Sequence, residues 1–274
     1  MVKKRVLITG ASGFIGSALF KKIYDSNIFG TIHKSKNLQK FTSLRKVDLT
    51  NKNKTLELLK DTKPELIFHL AGLVSPIYNE ANPHQAHKIN CQITKNLVTQ
   101  MEKNVHFIFL STDKIYTQEA TSFKENQSVN PKTLYGILKM LSEQMIVNET
   151  DKYHILRIPK MHSVGSRISS SFIDKAIIKI RLGKKVGVFS NVKRRFVRID
   201  ELINFLNILV DDVNYGIYNV GSTYSSYVDR LKLICRENNL SYKKLILPKK
   251  GCVFPLEQNI NIDKFKNTFN FSFT

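Results

Sequence analysis

The sequence predicts an α/β chain organised around a doubly wound parallel sheet, with a smaller region at its C-terminal end. Three observations carry that prediction. Apolar runs with strand character alternate with segments whose apolar residues recur at helical spacing, from Val6 to about residue 160. The first run, Val6-Leu7-Ile8, leads straight into Gly10-Ala11-Ser12-Gly13-Phe14-Ile15-Gly16, a glycine turn that opens a helix. Far downstream, Tyr135-Gly136-Ile137-Leu138-Lys139 follows Ser111-Thr112, so two chemistry-bearing motifs stand in one order on one alternating pattern.

Val6 to Thr9 reads as a buried strand, and Phe14, Ile15, Ala18, Leu19 and Ile23 mark the helix after the turn. Ile28 to His33 is the second strand, and Val47 ends a short third one before Asp48-Leu49-Thr50. Thr55 to Lys60 is helical and stops before Pro64. Glu65 to Leu70 is the fourth strand, ended by Ala71-Gly72; a long helix follows through Asn90, Ile93, Leu97 and Met101. Val105 to Leu110 is the fifth strand, and Asn130-Pro131 marks the entry to the helix of Tyr135 and Lys139. Tyr153 to Ile158 is the sixth strand. Beyond about residue 160 the pattern loosens into a helix over Ser171 to Leu182, a strand over Phe196 to Ile199, a helix through Leu202, Phe205, Leu206 and Leu209 capped by Asp200, and a strand and turn over Gly216 to Gly221. Residues 1–160 are thus expected to form one domain carrying the Tyr/Lys helix, and 161–274 a mostly substrate-binding region with a soft boundary.

The bulk composition narrows the function classes. A length of 274 residues with 42% hydrophobic and 24% charged residues suits one large domain, or one domain with an appendage, around a sizeable core. No window approaches the roughly 18 apolar residues of a membrane span, and Lys3-Lys4-Arg5 leads at once into a strand, so a cytoplasmic protein without signal peptide or membrane partner is expected. Cys91, Cys235 and Cys252 are widely spaced and form no CxxC pair, which reads as reduced thiols. The seven histidines lack carboxylate or cysteine partners at metal spacing, so no metal is expected; His84 and His87 read as a solvated pair. The formal net charge of +21 is scattered from Lys3 to Lys266, with no basic tail and no nucleic-acid-binding motif, so it is assigned to solvated lysines with a contribution from anionic ligands, and no nucleic-acid partner is expected.

A strand that ends in glycines and starts a helix offers free backbone N–H groups and the positive helix end to a pyrophosphate. Here Gly10 permits the turn, Gly13 clears room for phosphate, and Gly16 lets the helix pack on the sheet. No acid stands at the end of the second strand to bind a ribose 2′-hydroxyl. Thr31-Ile32-His33-Lys34-Ser35-Lys36 stands there instead, and its cations favour NADP(H) over NAD(H). Asp48 and Leu49, after the third strand, sit where an acid reaches an adenine amino group. Tyr135 and Lys139 are four apart on a helix and share a face. A nearby ammonium and a cationic nicotinamide both favour phenolate, so the tyrosine is expected to be tuned to exchange a carbinol proton while hydride moves. Thr112 ends the fifth strand at the edge where open α/β sheets bind ligands, with its hydroxyl available to the reacting oxygen, and Asn90 is available to order water or the local backbone.

Taken in order, Gly10-x-x-Gly13-x-x-Gly16, Asp48-Leu49, His69-Leu70-Ala71-Gly72, Asn90, Ser111-Thr112, Tyr135-x-x-x-Lys139, Arg157-Ile158-Pro159 and Gly216-Ile217-Tyr218-Asn219-Val220-Gly221 resemble the extended short-chain dehydrogenase/reductase family, the NAD(P)-dependent sugar-nucleotide epimerases, dehydratases and reductases. The resemblance implies a Rossmann-type domain with a small C-terminal substrate domain, and a catalytic set of Thr112, Tyr135 and Lys139. It implies cofactor contacts from Gly10, Ser12, Gly13, Phe14, Ile15, His33, Lys34, Asp48, Leu49, Leu70, Ala71, Gly72 and Asn90, with Tyr135 and Lys139. For a nucleotide-sugar substrate it implies Ser75, Thr112, Asp113 and an arginine for the diphosphate, Arg194 or its neighbour Arg195. Within the family, dehydratases carry Asp-Glu after the threonine, and Lys114 replaces that glutamate; no cysteine stands near the loop for proton abstraction. Ser111-Thr112-Asp113 looks most like the loop of the dTDP-4-dehydrorhamnose reductase branch, although Lys114-Ile115-Tyr116-Thr117 departs from it. Reduction of a 4-keto-deoxy sugar nucleotide is therefore the expected reaction, with a sugar-nucleotide 4-epimerase or a non-catalytic NADP(H)-binding regulator as alternatives. A homodimer through helices beside the sheet, with Met140 and Met145 facing outward, is compatible with the pattern.

Overall fold

In the computed structural model, residues 4–23, 27–33, 43–117, 122–164, 171–243, 246–249 and 259–274 are described. The order begins β1 (Val6–Thr9), α1 (Phe14–Lys22), β2 (Ile28–Ile32), β3 (Leu44–Lys46), α2 (Lys52–Thr62) and β4 (Leu66–His69). Then come α3 (Pro76–Ala81), α4 (Pro83–His87), a π-helical turn (Lys88–Gln92), α5 (Ile93–Val98) and β5 (His106–Thr112). A 3₁₀ turn (Asp113–Ile115), α6 (Leu134–Glu149) and β6 (Tyr153–Ile158) follow. The remainder is β7 (Lys160–His162), α7 (Phe172–Arg181), β8 (Val186–Phe189), β9 (Lys193–Arg194), β10 (Phe196–Arg198), α8 (Ile199–Ile208), β11 (Gly216–Asn219), β12 (Ser225–Ser226), α9 (Tyr227–Glu237), β13 (Ile246–Lys249) and α10 (Asp263–Thr268).

Seven strands form one sheet in the order β3-β2-β1-β4-β5-β6-β11. The pairs β1–β2, β2–β3, β1–β4 and β4–β5 all run parallel, with Val6 opposite both Ile28 and Leu66. The order reverses between β1 and β4, and at such a switch point the carboxyl ends of the strands leave a crevice for ligand. The chain divides into two compact units: Met1–Tyr116, Ser128–Arg157 and Ile203–Tyr218 form the first, and Thr117–Gln127, Ile158–Leu202 and Asn219–Thr274 the second. In the first, Leu7, Ile67, Phe107 and Phe109 from the strands pack with Leu97 of α5 and Ile146 of α6. In the second, the apolar stripes of α7 and α9 (Ile173, Ile177, Ile180; Leu231, Ile234) close on Val186, Val188 and Phe196.

Several boundaries differ from the sequence reading for local reasons. Helix α2 begins at Lys52, because the Asn51 side chain accepts from Lys54 N and caps a polar first turn. The expected long helix through Asn90 runs from Pro83 to Val98 as α4, a π turn and α5 in unbroken succession, with Met101 beyond its end; α3 is a separate short helix before it, and Pro76 and Pro83 each start a helix, where a missing N–H costs nothing. Asp200 lies inside the first turn of α8 and pairs with Arg198 rather than capping the helix from outside. Strands β7 to β9, β12 and β13 and helices α9 and α10 were not expected. No helix among the described residues is long and apolar enough to cross a membrane.

Candidate active site

The turn between β1 and α1 rests on Gly10, whose φ is +69°; a Cβ there would stand 2.9 Å from Ala71 N and Cα. The first unit holds a cavity of about 430 Å³ beside it. Gly10, Ser12 and Gly13 line one side, His33 the end of β2, Asp48 and Leu49 the end of β3, and Leu70, Ala71 and Gly72 the end of β4. Sequence reasoning missed another wall, made by Gln85, Lys88, Ile89 and Ile93; the spacing 85, 89, 93 on a helical path was the available signal. Phe14 and Ile15 form the first turn of α1 instead of lining the cavity, and they contribute backbone N–H groups that lack intrahelical partners. Lys34 and Lys36 lie outside the described residues. Asp48 accepts from Thr50 N at 3.0 Å and Thr50 Oγ1 at 2.7 Å. Burial raises its carboxyl, yet those bonds, with His33 and Lys88 near, hold it below the ordinary value.

Behind the cavity a buried chain of hydrogen bonds fixes the end of β4. Thr9 Oγ1 accepts from Leu70 N and Ala71 N, each at 3.1 Å, so its own proton goes to His69 Nδ1 at 2.8 Å. His69 Nε2 then donates to Thr94 Oγ1 at 2.9 Å, and Thr94 donates to Asn90 O at 3.0 Å. Burial, with the Lys139 charge, pushes His69 down to about 3, so the imidazole is neutral, as this direction requires. Asn90 itself was expected to touch cofactor. Its Oδ1 accepts from Leu73 N at 2.8 Å, and its Nδ2 donates to Leu73 O at 3.1 Å and Asn79 Oδ1 at 3.0 Å. Its amide therefore braces the loop after β4, the loop that lines the cavity. Ser75, on the same loop, caps α3 by accepting from Tyr78 N at 3.3 Å.

Helix α6 brings Tyr135 and Lys139 to this edge. Thr133 caps it by accepting from Gly136 N at 3.2 Å. A Cβ on Gly136 would lie 2.4 Å from Lys114 O, so only a bare position lets α6 seat against the turn after Thr112. Thr112 Oγ1 accepts from Lys114 N at 3.2 Å and faces Asp113 Oδ1 at 3.4 Å. The buried Lys139 Nζ donates to Leu110 O at 2.8 Å and stands 4.2 Å above the Phe109 ring centre. Burial lowers Lys139 to about 8 against the opposing pull of Glu143. Tyr135 departs from the expectation of a phenol drawn toward phenolate: burial first, then the Asp113 carboxylate, push it above its ordinary value. A Cβ built on Gly72 would be 3.0 Å from Asn90 Oδ1 and 4.0 Å from Lys139 Nζ, so the ammonium reaches the cavity's lining.

Arg194 and Arg195 belong to the second unit. Arg194 is buried on β9 and donates from Nη1 to Lys193 O at 2.7 Å. Arg195 is a brace: its Nε donates to Asn259 Oδ1 at 3.0 Å and Ile260 O at 2.8 Å, and its Nη1 to Ser222 O at 2.7 Å. No group of three or more His, Cys, Asp and Glu suited to a metal ion occurs among the described residues. Cys91 and Cys235 are buried free thiols, Cys252 lies outside the described residues, and His84 and His87 are exposed on α4.

A dinucleotide fits this donor set. The cradle has no side chain at Gly10 or Gly13, a helix start faces it, and an acid and an ammonium stand along its walls. Comparison with known proteins agrees. The β subunit of methionine adenosyltransferase 2 from Xenopus tropicalis is 25% identical over 196 residues, which cover 70% of this chain and 58% of that protein. The chain thus spans under two thirds of the length of such curated relatives. The fold matches the dTDP-4-dehydrorhamnose reductase of Bacillus anthracis solved with NADP, at a TM-score of 0.83 and 20% identity over 100% of this chain and 94% of that one. It also matches the UDP-glucose 4-epimerase of Thermotoga maritima solved with UDP-glucose, at 0.79 and 21% over 96% and 91%. The model of the NAD dependent epimerase/dehydratase family matches residues 6–221, from the glycine turn through the Tyr135/Lys139 helix, and the chain belongs to that family.

Proposed function

We propose that this chain is an NAD(P)-dependent oxidoreductase acting on a nucleotide sugar, and that it reduces a 4-keto-deoxy sugar nucleotide. The observation that carries this reading is the Lys139 ammonium 4.0 Å from a Cβ placed on Gly72, which joins the Tyr135 helix to the cavity of the glycine turn. Gly10, Ser12, Gly13, Asp48, Ala71 and Gly72 would hold the cofactor, whose nicotinamide supplies or takes a hydride when bound. Tyr135, kept as a phenol by burial and by Asp113, is suited to give its proton to a carbonyl oxygen. Thr112 orients that oxygen through its hydroxyl, and Lys139 offsets charge left on the tyrosine. His33 and Lys88 on the cavity wall, with no carboxylate at the end of β2, favour NADP(H) over NAD(H). For the second unit we infer a part in substrate recognition, with Arg194 as the diphosphate's guanidinium.

The test is NADPH and NADH consumption by the purified protein against a panel of nucleotide 4-keto-6-deoxy sugars. Turnover with NADPH above NADH is expected. Bound cofactor without consumption overturns the reductase reading, and interconversion of sugar-nucleotide epimers by the same sample would put a 4-epimerase in its place.

A further inference from the structure

Arg157 and Tyr116 stand out in the sequence, in Arg157-Ile158-Pro159 and at the end of the segment 111–116, and the chemistry above uses neither. In the structure Arg157 pairs with Glu143, one helical turn beyond Lys139 on α6, and Tyr116 bonds to Arg157. Glu143 and Arg157 are each only 4% exposed. Arg157 Nε donates to both Glu143 oxygens at 3.2 Å, and Nη2 donates to Oε2 at 2.7 Å. The other arm, Nη1, donates to Tyr116 Oη at 2.6 Å, with the guanidinium carbon 5.1 Å from the Tyr116 ring centre. Tyr116 N donates to Asp113 O at 3.1 Å and closes the turn that follows Thr112. One guanidinium thus ties α6, β6 and the Thr112–Asp113 turn together.

A buried ion pair is poor evidence of a stabilising role, since apolar replacements of similar volume are often neutral or better. Its position suggests another use. Lys139 sits among Glu143 on its own helix, Cys91 on the π turn, the neutral His69 on β4 and the carbonyl of Leu110. Glu143 is the carboxylate whose charge favours the ammonium there. We propose that Glu143, clamped by Arg157, which Tyr116 holds in turn, is a positioning residue for the Lys139 ammonium and, through Arg157, for the Thr112–Asp113 turn; the inference rests on the oxidoreductase reading of the site.

Two measurements test it: cofactor affinity against pH by fluorescence titration, which needs no substrate, and kcat/KM for ketone reduction against pH. Wild type should lose both as pH rises through about 8, where Lys139 deprotonates. Glu143→Gln keeps the shape and removes the charge, and should move that alkaline limb acidward by about one pH unit. Arg157→Lys keeps both charges but loses the fork; it should leave the limb in place and lower kcat by about tenfold or more as the turn loosens. Should Glu143→Gln fail to fold, the double variant Glu143→Leu/Arg157→Met removes the ion pair as a unit and takes the same measurements; because a cation leaves with the anion, its limb should move in the same direction but by less. A folded charge-removing variant whose limb coincides with wild type overturns the proposal. Wild type that binds cofactor with this limb but reduces no 4-keto sugar ends the reductase reading, and the affinity profile still decides the role of Glu143.

Discussion

Tyr135 shows how far a site's chemistry depends on neighbours remote in sequence. Spacing puts Lys139 on the same helix face, and that alone argues for an easily ionised phenol. The folded chain adds burial and Asp113, 22 positions upstream, and both act the other way. A phenol that keeps its proton is a donor, which suits reduction of a carbonyl. Tyr135→Phe should therefore lower kcat by about 10²–10⁴-fold while cofactor affinity, read by fluorescence titration, stays within a few-fold of wild type. Gly136 offers a sharper test, because helix propensity and packing predict opposite signs. Replacing a helical glycine by alanine ordinarily stabilises by about 0.5–1 kcal/mol. Here the new Cβ would meet Lys114 O at 2.4 Å, a backbone atom that cannot swing aside. Gly136→Ala should cost about 1–3 kcal/mol in denaturant unfolding and reduce turnover, because relief of the clash pushes Tyr135 away from the Thr112 turn. A variant more stable than wild type would mean that the turn gives way freely.

The elements divide into those the sequence makes visible and those it hides. Strands β1, β2, β4, β5 and β6 are legible because each is a buried apolar run closed by a turn signal, and the Tyr135/Lys139 helix because Asn130-Pro131 announces it. The segment from Pro76 to Val98 is not, since apolar spacing continues across the break at Asn82 and a π turn leaves no mark in composition. Helix α9 did carry a signal, Val228, Leu231, Ile234 and Cys235 at helical spacing, that a loosened pattern obscured. Strands of two or three residues such as β9 and β12 are too short to show a period. Lys88 joins the cavity wall only because the chain from α4 into the π turn passes across the ends of the strands. That π turn also presents Asn90 to the loop after β4, where it makes two hydrogen bonds to Leu73, with a third to Asn79 of α3. Asn90→Ala leaves Leu73 N and O without those partners. The expected cost is about 1–3 kcal/mol in unfolding, with weaker cofactor binding as the loop loses its shape. Unchanged affinity in a folded Asn90→Ala protein would show that the loop keeps its form without the brace.

For the whole molecule, the buried histidines set a limit on acid tolerance. His69 and His106 are each held down to about 3 and His162 to about 4, from an ordinary 6.5, and burial is the leading cause in all three. His154, bonded to His106 at 2.7 Å and to Asp212 at 3.0 Å, is lowered too. His69, His106 and His154 lie in the first unit and His162 in the second, where it accepts from Arg230 Nε at 3.0 Å, so neither unit is spared. Because each folded value lies below the unfolded one, the unfolded chain takes up protons first as pH falls through 6.5. Stability is complete above that point and is lost progressively until about 3 to 4, where the folded imidazoles also protonate. Each group contributes a slope of about 1.4 kcal/mol per pH unit inside its window, so the three with assigned values together remove about 4 kcal/mol per unit. A domain has about 5–15 kcal/mol in all. The formal net charge of +21 acts in the same direction, because acid adds positive charge to a chain that already repels itself. Thermal unfolding measured from pH 8 to pH 4 should therefore give a Tm that is level above 7, bends down near 6.5, and is lost before pH 4. His106→Asn, at the pair with the least contact to the site, should shift the bend without abolishing cofactor binding. A Tm level from pH 7 to pH 5 would mean that the imidazoles accept protons inside the folded chain, and the neutral hydrogen-bond direction from Thr9 through His69 to Asn90 would have to be abandoned with it.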